Sequence, residues 1–150
     1  MRFTPREVDP LFDSVEAVTH GLGLSLIELS VSRHKGSVQV RATVYKAGRV
    51  GLEDCSRAHR AMLPRLELAF PDAELFVEVS SPGIDRTIKD ASEFAYYKGR
   101  WVKCYRTDIS EWSRGVLVDA DEKRLVLSAD GKASDIPYSV IAKAKLDWEV

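Results

Sequence analysis

Five short β-type runs crowd into the last third of this 150-residue chain, at 101–106, 114–119, 124–128, 134–138 and 141–146. Two of the separators, Asp119-Ala120-Asp121-Glu122-Lys123 and Ala129-Asp130-Gly131-Lys132, are turn chemistry. Strands this short and this closely spaced predict a small β-barrel of Sm-like or SH3-like type, because closing the sheet removes its edges. That expectation sets the domain organisation, since the first half reads differently.

Thr4-Pro5-Arg6-Glu7 carries the signals of a helix start: a capping hydroxyl, proline at the first helical position and a capping-box glutamate. Val8, Leu11, Phe12, Val15 and Val18 then fall at helical spacing, with Gly21 or Gly23 as the stop. Ile27, Leu29 and Val31 alternate with polar residues, and so do Val38, Val40, Ala42 and Val44. Lys35-Gly36-Ser37 between the two runs predicts a hairpin. A second helix is expected from Glu53 and Asp54, acids suited to its positive end, with Cys55, Ala58, Met62 and Leu66 buried. Pro64 is expected to kink or break it near Leu63. Leu75, Val77 and Val79 make a third strand, ended by Ser80-Ser81-Pro82-Gly83-Ile84, where Pro82 and Gly83 suit the central positions of a type II turn. The chain is thus read as α+β: an αββαβ sandwich domain over 1–86, a linker with a short helical stretch over 87–98, and the barrel over 99–150.

Composition excludes more than it identifies. No apolar run approaches the roughly 18 residues of a membrane span, and Met1-Arg2-Phe3-Thr4-Pro5 lacks a signal-peptide layout. Two cysteines, Cys55 and Cys104, are too few for a disulfide framework, so a cytoplasmic, reduced protein is expected. His20, His34 and His59 stand at no metal-ligand spacing, and neither a nucleophile elbow nor a phosphate loop is present. No metal, cofactor or catalytic residue is therefore expected.

Charge is balanced globally, with 22 basic and 23 acidic residues, but not locally. Residues 33–65 hold eight cations against Glu53 and Asp54. Arg33, Lys35, Arg41, Lys46, Arg49, Arg57 and Arg60 form a candidate basic patch for an anionic partner; the alternative is a solvated face paired with acidic segments. Farther on, Trp101, Lys103 and Tyr105 alternate along one strand. They make either a stacking platform for unpaired bases or a set of packing plugs.

Val79-Ser80-Ser81-Pro82-Gly83-Ile84-Asp85-Arg86 resembles the V-S-S-P-G-[LI]-D-R hallmark of the bacterial ribosome maturation factor RimP family. Gly51-Leu52-Glu53-Asp54-Cys55 is similar to that family's G-x-[DE]-D-C helix start, and the 141–146 run to its closing I-x-K-A-x-L strand. The resemblance covers essentially the whole chain. It departs at Thr87, where the family usually has proline, at Lys46, where an acid is common, and at Pro64.

The resemblance implies a non-enzymatic factor, acting here as a monomer, that binds immature 30S subunits through 16S rRNA and promotes late small-subunit assembly. It also implies contact with small-subunit ribosomal protein number twelve. The hallmark positions fall on Asp54, Cys55, Ser80, Ser81, Pro82, Gly83, Asp85 and Arg86, which either shape the turn or meet a partner. A general RNA-binding or RNA-chaperone module built on the barrel is the rival expectation.

Overall fold

The computed structural model describes residues 6–84 and 86–147. The mixed α+β chain has two sheets and divides into two units, Val8–Pro82 and the remainder, so that Arg6 and Glu7 group with the residues from Gly83 onward.

In the first unit, helix α1 (Pro10–His20) starts later than Thr4-Pro5 predicts. Thr4 and Pro5 lie outside the described residues, but the reason for the late start is Pro10. A proline there, inside a helix begun at Pro5, would clash with the Arg6 carbonyl. Instead Asp9 caps the helix, its carboxylate accepting from the Leu11 and Phe12 N–H groups at 3.0 and 3.4 Å, and Pro10 takes the first turn. Val8, expected in the core, is exposed.

Strands β1 (Ser25–His34) and β2 (Ser37–Tyr45) are antiparallel. Their two-residue loop puts Lys35 at φ 42° and Gly36 at φ 83°, the type I′ geometry whose twist matches the strands. Helix α2 (Leu52–Ala69) then crosses over to β3 (Glu74–Ser80), which lies parallel to β2 and gives the order β1-β2-β3. Contrary to expectation, α2 runs unbroken through Pro64. Pro64 is exposed, so the Arg60 carbonyl that loses its donor is on the wet side of the helix. Val38, Val40, Ala42 and Val44 on one face of β2 pack with Phe12 and Val15 of α1 and Ala58, Met62 and Leu66 of α2. Fully burying a side chain such as Leu66 contributes about 1.5–3 kcal/mol.

The second unit contains a 3-10 helix (Ala91–Tyr97) and β4 (Trp101–Arg106), β5 (Glu111–Ala120), β6 (Arg124–Ala129), β7 (Lys132–Pro137) and β8 (Ile141–Leu146). The order is β7-β6-β5-β4-β8, all neighbours antiparallel. β7 and β8 stand at opposite ends, yet only Tyr138–Val140 joins them. In a flat sheet they would be about 19 Å apart; four Cα steps reach at most about 14 Å. The sheet therefore curls, helped by the extra residue Val118 in β5, a bulge that adds local twist. Val102, Cys104, Leu117, Leu125, Leu127 and Ile136 are buried within it.

Residues 87–98, read as a linker from the sequence, group with this second unit: Ile88, Ala91, Phe94 and Tyr97 are buried there. Phe94 stacks on Tyr138 with ring centres 5.4 Å apart. Just ahead of them the Arg86 N–H donates to the Gly83 carbonyl at 3.1 Å.

Candidate nucleic-acid interface

The structure does not bring the seven cations of residues 33–60 into one patch. β2 has nine residues and is about 26 Å long, and the charges are distributed along it. Arg33 and Lys35 sit at its hairpin end, where the Arg33 guanidinium lies 4.8 Å from the centre of the Phe70 ring. Arg41 points to the face away from the helices and meets Glu78 at 3.6 Å, an exposed pair of small energetic value. Lys46 and Arg49 follow the opposite end of β2, where α2 begins; Arg57 lies in the second turn of α2 and Arg60 halfway along its 18 residues. The sequence grouped these residues by chain proximity, which a strand converts into distance.

At that far end the hallmark acid Asp54 works as a local clamp. Its carboxylate accepts from the Gly51 N–H at 2.9 Å and meets Lys46 Nζ at 3.0 Å, with Arg57 Nη1 at 3.9 Å. The Gly51 N–H and then Lys46 hold the Asp54 carboxyl below its ordinary value. Asp54 thus neutralises part of the cationic end while fixing the helix start.

Arg86 of the other hallmark segment is used internally as well. Its Nε donates to Glu93 Oε1 at 2.5 Å, the same oxygen accepts from Tyr97 Oη at 2.9 Å, and Glu93 Oε2 accepts from the Lys89 N–H at 3.0 Å. Glu93 is 1% exposed and Tyr97 is buried. Burial and then the Glu93 charge push the Tyr97 phenol far above its usual range. Asp90 caps the 3-10 helix, accepting from the Glu93 N–H at 3.1 Å, and faces Arg6 at 3.7 Å. Ser80, Ser81 and Gly83 are exposed and Pro82 is half-buried, whereas Asp85 lies outside the described residues. Sequence reasoning missed Glu93 and Tyr97. The i, i+4 spacing of the two residues on a short helix was the available signal.

The two cysteines, of which Cys55 is a hallmark position, differ in environment. Burial and then the Asp54 charge raise the half-buried Cys55 thiol, and burial pushes Cys104 to about 11. At pH 8 a disulfide reagent is expected to titrate one thiol per chain, Cys55, and to reach the second only after denaturant is added. Two promptly reacting thiols would contradict this placement. Among the described residues no group of three His, Cys, Asp or Glu side chains is placed to hold a metal ion. No described helix is long and apolar enough to cross a membrane.

Trp101, Lys103 and Tyr105 do share a face, the outer one of β4, because Val102 and Cys104 turn inward. The register adds residues that the sequence did not reveal. Lys103 lies opposite Arg114 of β5 and Lys145 of β8; Tyr105 lies opposite Trp112 of β5 and Lys143 of β8. Trp112 is 45% exposed, meets the Tyr105 ring edge-on at 5.7 Å and carries Lys103 Nζ 5.3 Å from its centre. Trp101 is less open, since Arg114 lies 4.7 Å over its ring and is held there by Asp147 at 2.7 Å. Cations interleaved with aromatic rings on a pleated surface form an arrangement suited to phosphates and bases together.

Residues 14–85 match the family model described as RimP N-terminal domain. The chain is also similar to curated proteins named ribosome maturation factor RimP. It is 29% identical over 136 residues to that of Borrelia hermsii (strain HS1 / DAH) and 28% identical to that of Borrelia recurrentis (strain A1). Both alignments cover 91% of this chain and 93% of the relative. With a hallmark-like segment at 79–86, a matching N-terminal domain and relatives aligned along nearly its full length, the chain is similar to the RimP family over most of its residues.

Proposed function

We propose that this protein acts in ribosome maturation, as a non-enzymatic factor that binds the immature 30S subunit and promotes its late assembly in the cytoplasm. The observation that carries this reading is the alignment, over 93% of their length, with proteins named for ribosome maturation. The cationic end of the first unit, with Lys46, Arg49, Arg57 and Arg60, supports binding to 16S rRNA phosphates. The curled five-stranded sheet from Trp101 to Leu146 is read as an Sm-like barrel, and small-subunit ribosomal protein number twelve is the protein partner that the family resemblance implies.

The test is a sucrose gradient of lysate, run at low and moderate salt and probed for the protein. Enrichment in small-subunit fractions and absence from 70S particles are the expected results. If about three of the clustered cations contact phosphate, binding falls with salt with a log–log slope of roughly −2 to −3. Arg57→Glu with Arg60→Glu should weaken co-sedimentation several-fold while leaving the melting curve in place, since both side chains are exposed. Signal only at the top of the gradient, with purified subunits failing to recruit the protein, would overturn the reading. Unchanged co-sedimentation of the double variant would remove this end of the unit from it.

A further inference from the structure

We infer that the outer face of β4, β5 and β8 binds an unpaired RNA strand, with Trp112 as its stacking anchor. Two adjacent cross-strand rows carry the inference. The first is Lys145, Lys103 and Arg114, directly opposite one another on three neighbouring strands; the second, two residues along, is Lys143, Tyr105 and Trp112. Rows two residues apart on a strand are separated by about 6.5–7 Å. A line of positive charge therefore lies beside a line that is mostly aromatic.

Like charges placed directly opposite across strands destabilise a sheet. Asp147 offsets Arg114, and among the described residues no carboxylate is within ion-pair distance of Lys103, Lys143 or Lys145. The row is therefore unfavourable by itself and is relieved when an anion covers it, which gives the charge complementarity that selects the partner. The second row selects among anions. An acidic peptide would satisfy the lysines but leave the half-exposed indole of Trp112 without a matching surface. A duplex hides its base faces in its own stack. An unpaired strand offers phosphates to one row and base faces to the other. The choice of RNA rests on the ribosome-maturation reading; the choice of an unpaired strand rests on the face itself.

The experiment uses the full chain and no ribosomal particle, so its failure is separate from failure of the gradient test. Anisotropy of a labelled twelve-nucleotide uridine oligomer is measured against a blunt RNA duplex of equal length, with polyglutamate as competitor. Binding to the single strand, with preference over the duplex, is expected. Trp112→Ala should weaken it about tenfold or more, and Trp112→Phe should restore most of the affinity, because stacking needs a ring rather than the indole N–H. Lys143→Gln with Lys145→Gln should make the salt slope shallower by about 1.4, as expected for two lost contacts to a single strand. Trp112→Ala binding like the parent would overturn the inference. Equal affinity for the duplex, or equally effective displacement by polyglutamate, would overturn it too.

Discussion

Replacing Glu93 by alanine is expected to destabilise the second unit by about 3–5 kcal/mol. The carboxylate is 1% exposed and serves three donors: the Arg86 guanidinium, the Tyr97 hydroxyl and the Lys89 N–H. Removing it takes the Glu93 counter-charge from a largely buried guanidinium and the Glu93 oxygen from a buried phenol that donates to it. Buried groups that lose a partner in this way, rather than the loss of the pair as such, make broken buried ion pairs costly. A domain has only about 5–15 kcal/mol in total, so this substitution removes a large share. Glu93→Gln keeps the shape and one acceptor oxygen but turns an amide donor toward groups that also donate, and its loss should be intermediate. Tyr97→Phe removes one neutral donor and should cost about 1 kcal/mol. Urea unfolding followed by tryptophan fluorescence gives the order, with Tyr97→Phe the mildest and Glu93→Ala the worst. A Glu93→Ala midpoint close to that of Tyr97→Phe would mean that the network carries no such weight.

The second large effect is expected at Gly115. A methyl group added there would lie 2.7 Å from the Ser128 carbonyl oxygen and 3.0 Å from its carbonyl carbon, both backbone atoms of the neighbouring strand. Backbone in a paired strand does not swing aside as a side chain does. Gly115→Ala should therefore cost about 3 kcal/mol, at the upper end of overpacking effects, and lower the melting temperature by at least several degrees. Gly21→Ala is the natural contrast. There the nearest atom is the Val18 carbonyl oxygen at 3.5 Å and φ is −62°, so alanine fits and should leave stability unchanged or slightly raised. Thermal melts of the two variants separate them. A Gly115→Ala melt matching that of Gly21→Ala would show that β5 and β6 can shift apart at little cost.

These two glycines also mark where the sequence stops being informative. Gly21 announces itself by following a helical pattern, whereas Gly115 needs β6 in place before its constraint exists. The same division runs through the whole chain. Alternation at Ile27–Val31 and Val38–Val44, the Lys35-Gly36 turn and the stripe Ala58, Met62, Leu66 are local patterns, and each produced the element expected of it. The start of α1 was misplaced because two capping signals stood five residues apart and the proline of the second vetoes the first. Pro64 misled because a helix tolerates a missing bond where the freed carbonyl is wet.

For the candidate surfaces, register is what the sequence withheld. Lys143 and Lys145 join Lys103 and Tyr105 only through pairing between strands some 40 residues apart along the chain, and Trp112 joins them through the register of β4 with β5, while cations close in sequence at 33–49 were carried to opposite ends of β2. Periodicity reports which face a residue takes. It is silent about which strand will lie alongside.

The pairing of β4 with β8 has a consequence for how the second unit is made. Its hairpin between β6 and β7 closes through two residues, Asp130 and Gly131, both at positive φ, and hairpins of this kind form in microseconds. The contact of β4 with β8 must instead wait until every strand between them has been synthesised and placed, and long-range pairings of this kind slow folding. During that interval the β4 edge carrying Val102 and Cys104 has no neighbour on one side, and an open apolar edge invites pairing with another chain. Lys103, between Val102 and Cys104, places positive charge on that edge. In a nascent chain this charge discourages a second copy from docking there before β8 does.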